Sequence, residues 1–66
     1  MHIYFNDELQ ELDETLSVQQ LIQRQQLNPQ GLAVAINQQI LPRTEWEHYR
    51  LQAGDRLTVF RAIAGG

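Results

Sequence analysis

The residues best suited to chemistry gather where Ala64-Gly65-Gly66 follows the apolar run from Leu57 to Ile63 and ends in a carboxylate. Glycine has no Cβ and accepts nearly any φ/ψ, so two in a row make the thinnest thread a polypeptide can push into a narrow active site. At roughly 3.3–3.6 Å per residue, three residues reach about 10 Å past a folded edge. An α-carboxylate, with a reference pKa of about 3.3–3.7, is ionised at neutral pH and is a poor electrophile. It becomes an acyl donor only after activation, for which an acyl-adenylate made from ATP is the natural form. The same three residues also read as a frayed terminus without function.

No second site assembles from the remaining residue types. His2 and His48 lack partners at metal-ligand spacing and read as surface histidines, so no metal is expected. Ser17 has its own task at a helix cap and no Ser/His/Asp signature around it, so no catalytic residue is assigned. Gly31, Gly54, Gly65 and Gly66 do not form a phosphate-binding loop. With 66 residues there is one domain and little room to enclose an active site. The chain has no cysteine, which excludes disulfides, thiolate metal sites and cysteine nucleophiles and leaves any sulfur chemistry to another group. It also has no lysine, its cations being Arg24, Arg43, Arg50, Arg56 and Arg61, so it cannot be joined to itself through a lysine isopeptide bond. A net charge of −3 argues against nucleic acid, which demands clustered cations. No membrane span and no charged-then-apolar leader is visible, and the expectation is a soluble, cytoplasmic protein.

The elements that must carry the terminus follow from periodicity. His2-Ile3-Tyr4-Phe5, the turn Asn6-Asp7 and the stretch to Leu12 predict a hairpin. The acidic residues Asp7, Glu8, Glu11, Asp13 and Glu14 read as a solvated face, with a docking surface for a basic partner as the alternative. Ser17 and Gln20 match a capping box. Val18, Leu21, Ile22 and Leu27 then form the apolar stripe of a helix that Asn28-Pro29 stops. Leu32–Ile36 reads as a buried strand, Asn37-Gln38-Gln39 as a turn, and Ile40-Leu41 as a short edge strand ended by Pro42. Thr44-Glu45-Trp46-Glu47 repeats the capping pattern over one helical turn. Trp46 and Tyr49 read as core or edge cover, and less readily as a stacking platform. Ala53-Gly54-Asp55 turns the chain into a last strand from Arg56 to Ile63, with Leu57 and Val59 on one face and Thr58 and Phe60 on the other. This order allows the first and last strands to lie parallel at the sheet centre beneath the helix. A ferredoxin-like layout would need a second full helix.

The opening Ile3-Tyr4-Phe5-Asn6-Asp7, the segment Leu32-Ala33-Val34-Ala35-Ile36-Asn37-Gln38-Gln39-Ile40-Leu41-Pro42-Arg43 followed by Trp46, then Gly54-Asp55 and the final Ala-Gly-Gly resemble the ThiS family of sulfur carriers over essentially the whole chain. The middle segment is the specific part. Gly-Asp and Gly-Gly are shared with related carriers such as the small subunit of molybdopterin synthase. The resemblance implies an α+β, β-grasp (ubiquitin-like) fold, a mixed four- to five-stranded sheet with one main helix across it. The domain would span residues 1–63, and 64–66 would be a flexible tail. It implies a carrier rather than an enzyme, acting as a protein co-substrate in making the thiazole half of thiamine. A ThiF-like adenylyltransferase would use ATP to convert Gly66 to an acyl-adenylate, and sulfur from a donor such as a cysteine desulfurase system would then give a thiocarboxylate. A ThiG-like thiazole synthase would accept that sulfur. Gly65 and Ala64 would thread the partner's channel, no cofactor being tightly bound. Strand parity and position together add Phe60, Ala62 and Ile63 as an expected docking surface beside the tail. The competing readings are a MoaD-like carrier for molybdopterin synthesis, expected to be somewhat longer, and a β-grasp protein-binding module with an inert tail.

Overall fold

A computed structural model describes residues 1–61. Five strands and one helix follow in the order β1 His2–Phe5, β2 Glu8–Glu11, α1 Val18–Arg24, β3 Leu32–Ile36, β4 Gln39–Ile40 and β5 Arg56–Arg61, with a 3₁₀ turn at Arg43–Glu45 between the last two. The sheet order is β2-β1-β5-β3-β4. Parallel β5 pairs with β1, and all other pairings are antiparallel. This is the mixed sheet with a helix across one face that the β-grasp expectation describes. No helix among the described residues is long and apolar enough to cross a membrane.

Both hairpins close through two residues of positive φ, Asn6 and Asp7 in one and Asn37 and Gln38 in the other. Such a turn matches the right-handed twist of its strands, and asparagine tolerates the left-handed region better than most residues. Hence β4 begins at Gln39, one residue earlier than the expected Ile40-Leu41 strand, and the second turn has two residues, not three. β2 likewise starts at Glu8 and ends before Leu12.

The helix begins as its sequence predicts. Ser17 Oγ accepts from Gln20 N–H at 3.1 Å and Gln20 Oε1 accepts from Ser17 N–H at 2.9 Å, a complete capping box. Its end differs from expectation. Helical geometry stops at Arg24, and Gln26 takes φ 57°, with Gln26 N–H donating to the Gln23 carbonyl and Leu27 N–H to that of Ile22. These two bonds form a Schellman cap, so the chain leaves the helix before Pro29 can act on it. The expected cap at Thr44 is absent as well. Pro42 precedes the 3₁₀ turn and no side-chain cap bond forms there, so the short turn is held by backbone bonds alone.

One core lies between α1 and the sheet. Ile3, Val18 and Val34 are fully buried, with Leu21, Ile22, Leu51 and Leu57 nearly so. Each such side chain contributes about 1.5–3 kcal/mol relative to exposure. Trp46 is also core, its indole Nε1–H donating to the Leu41 carbonyl at 3.2 Å, which settles the choice between core cover and stacking platform. Since Gln26 occupies the left-handed region that glycine adopts without a Cβ clash, Gln26→Gly is expected to stabilise the fold by about 0.5–1 kcal/mol, read as an upward shift of the urea midpoint at constant slope.

Candidate functional site

β5 is the element that delivers the chain end, and its two faces have separate uses. Leu57 is buried and Val59 half-buried against the core, while Thr58 and Phe60 face away from the helix, as parity predicts. Phe60 is 45% exposed and lies opposite Ala33. The other residues expected in the tail and docking surface, Ala62, Ile63, Ala64, Gly65 and Gly66, lie outside the described residues.

Register shows what surrounds Phe60. Leu9 pairs with Tyr4 and Tyr4 with Arg56 on one side, while Thr58 pairs with Ala35 and Ala35 with Ile40 on the other. All of these side chains share the outer face of the sheet, because pairing partners point the same way. Leu9 is 58% and Ile40 65% exposed, so three large apolar groups stand in water on one surface. Ala33 and Ala35 keep its centre low. Arg56 stacks over the Tyr4 ring at 4.3 Å and approaches Asp7 at 3.9 Å, placing one cation among the apolar groups. An exposed apolar face of this kind is a candidate interaction surface. Sequence reasoning found Phe60 and missed Leu9, Tyr4, Ile40 and Arg56. Alternation within each strand carried a signal for them, but only register unites them.

The entry to β5 is organised by Asp55, 7% exposed. Its carboxylate accepts from Tyr49 Oη–H at 3.0 Å, from Gln52 N–H at 2.9 Å and from Asn37 Nδ2–H at 3.2 Å, while Asn37 Oδ1 accepts from Arg56 N–H at 3.0 Å. One carboxylate thus ties the β3–β4 turn and the 49–52 segment to the start of β5. Asp55 is placed for structure rather than catalysis, with its oxygens filled by protein donors.

The other candidates have ordinary surroundings. His2 meets Glu11 at 3.3 Å and His48 meets Glu47 at 3.5 Å, both at the surface, and no group of three metal-binding side chains occurs among the described residues. The N-terminal ammonium bonds Glu11 at 3.0 Å and holds that carboxyl below its usual range. Arg24 pairs with Glu14 at 2.9 Å. Much of the acidic stretch therefore serves as partner to groups of its own chain. A hollow of about 180 Å³ lies on the helix side, lined by Ile22, Leu27, Pro29, Arg43 and Trp46, with no titratable pair in it.

Three comparisons bear on this arrangement. The ThiS family model matches residues 3–66. Sulfur carrier protein ThiS of Escherichia coli (strain K12) is 39% identical over 66 residues, 100% of both chains. The crystal structure of thiamine biosynthesis protein ThiS from Geobacter metallireducens matches with a TM-score of 0.90 at 22% identity over 100% of both chains. An NMR solution structure of a thiamine biosynthesis protein from that organism gives 0.78 at 22% identity, over 100% of this chain and 88% of that one. The structural likeness shows the fold, a β-grasp of five mixed strands and one helix.

The Asp55 cluster gives a pH signature. Burial, then the hydrogen bond to Asp55 and its charge, raises the Tyr49 phenol above 10.0. A group held protonated by the fold contributes stability that is intact below its unfolded value and is lost as pH rises through its folded value. Unfolding free energy should therefore fall as pH passes about 10. In urea titrations, Tyr49→Phe should cost about 1 kcal/mol near neutrality and flatten that alkaline decline.

Proposed function

This chain belongs to the ThiS family of sulfur carriers, and we propose that Gly66 is the residue that carries the sulfur. A ThiF-like adenylyltransferase binds the outer sheet face and draws Ala64-Gly65-Gly66 into its channel. A carboxylate oxygen of Gly66 attacks the α-phosphorus of ATP and pyrophosphate leaves. The terminal sulfur of a persulfide, supplied by a donor such as a cysteine desulfurase system, then replaces AMP at the carbonyl carbon to give an acyl disulfide. A thiol of the donor system cleaves its S–S bond, releasing the thiocarboxylate and leaving a disulfide on the donor side. A ThiG-like thiazole synthase takes that sulfur for the thiazole of thiamine. The chain itself is a protein co-substrate in this scheme, and the partners perform the catalysis.

The observation that carries this reading is the match to the E. coli carrier along the full length of both chains. The exposed face around Phe60 supports it, because a carrier must be recognised by surface while its terminus reacts elsewhere. The absence of cysteine is compatible with sulfur held on the main chain.

Intact mass spectrometry of protein from its own cells, before and after a thiol-alkylating reagent, tests the chemistry. No encoded side chain is a thiol, so alkylation reports a sulfur nucleophile and is not confused with oxidation of Met1. The expected result is one alkylated species mapping to the C-terminal peptide and absent from a Gly66 deletion. No such species after incubation with ATP, sulfur donor and adenylating partner would favour a plain binding module. For the docking face, Phe60→Ala should raise the carrier's KM for adenylation about tenfold, the equivalent of about 1.4 kcal/mol. An unchanged KM would remove Phe60 from the interface.

A further inference from the structure

Arg61 is out of place by strand parity. It lies on the same side of β5 as Leu57 and Val59, opposite Leu32, where an apolar residue would continue the core. The helix has already ended at Arg24, so this part of the sheet is covered by the loop before β3. There Arg61 Nη1 donates to the carbonyls of Asn28 at 3.1 Å and Gln30 at 3.0 Å. The carbonyl between them, Pro29, accepts from Leu32 N–H and from Arg43 Nη2, and the Arg43 guanidinium stacks over buried Trp46 at 4.7 Å. Three successive carbonyls are thus gripped by two arginines, one fixed to the core and the other at the root of the tail.

Taking Gly66 as the reacting residue, the geometry points to Arg61 as a positioning residue that fixes where and in what direction the chain leaves β5. Gly66 lies five residues further along the chain, a lever of about 17 Å when extended. A root free to pivot would spread the terminus over many positions in a docked complex. Docking by the sheet face would be unaffected, but fewer docked carriers would have the carboxylate in reach of ATP. The loss therefore belongs in kcat rather than in KM. Charge-assisted bonds from a planar guanidinium suit this task better than a single ammonium on a flexible stem.

The experiment compares wild type, Arg61→Gln and Arg61→Lys as substrates of the adenylating partner, following pyrophosphate release at saturating ATP with the carrier varied. Arg61→Gln should lower kcat about tenfold with KM within about twofold, and Arg61→Lys should fall between it and wild type. In the isolated carrier, amide exchange at Gln30 and Leu32 should quicken by about tenfold in Arg61→Gln, showing that the grip on the loop has been released. Unchanged kcat with quickened exchange would make Arg61 a structural residue only. A rise in KM alone would make it a contact with the partner. Either result overturns the proposal. Should Arg61→Gln fail to fold, the kcat of Arg61→Lys decides by the same criteria. If wild type itself releases no pyrophosphate, the carrier reading fails, whatever the exchange data show about the grip.

Discussion

The parallel pairing of β1 with β5 governs this molecule, because it places the last described strand in the middle of the sheet instead of at an edge. Tyr4 N–H donates to the Asp55 carbonyl and Asn6 N–H to that of Leu57, both at 2.9 Å, while Asn6 Oδ1 accepts from Val59 N–H at 2.8 Å. Until β5 arrives, the β1–β2 and β3–β4 hairpins have no strand to join them. The fold is therefore completed by contacts distant in sequence, which carry a high loop-closure cost. Asp55 reduces the freedom of that step by holding Tyr49, Gln52 and Asn37 just before the strand begins. A strand inserted this way has a definite path, and whatever follows Arg61 starts from a fixed place in the sheet.

Three uses are divided along those six residues without conflict. Leu57 and Val59 bind the strand to the core, Phe60 and Thr58 present a surface, and Arg61 holds the loop beside the exit. Small residues on the neighbouring strand make the surface accessible. Larger side chains at Ala33 or Ala35 would stand against Phe60 and Thr58 across the ladder and fill the space a partner would enter. In the proposed function, recognition uses the face of the strand, while reactivity is left to the residues beyond its end.

What the sequence made legible was mostly local. Asn6-Asp7, the Ser17/Gln20 box and the alternation of Leu57 to Phe60 each act within a few residues, and the structure has them as expected. The helix end was not legible, because Gln26 adopts a conformation that composition assigns to glycine and Pro29 offered a more visible stop. Thr44 matched a motif whose length the following turn cannot accommodate. The outer face was hidden for another reason. Leu9, Tyr4, Phe60 and Ile40 come from four strands, and their proximity depends on register across the whole sheet. The Asp55 cluster and the grip of Arg61 on Asn28 and Gln30 likewise join distant segments.

The amine content of the chain bears on how an activated terminus could survive. An acyl-adenylate is captured by unprotonated amines, and with no lysine the chain's sole amine is its N-terminus. That ammonium is bonded to Glu11 at 3.0 Å and to the Leu12 carbonyl at 2.8 Å. It also lies at the wrong end. β1 and β5 run parallel with Tyr4 level with Arg56, so Met1 and Arg61 are eight strand positions apart, roughly 26 Å along the sheet at 3.3 Å per residue. The arginines replace lysine as the cations and stay protonated in proteins, so they stabilise the fold without offering a nucleophile. Under the proposed function, a carrier built this way would keep its activated carboxyl for sulfur from outside, since among the described residues no amine stands near Arg61.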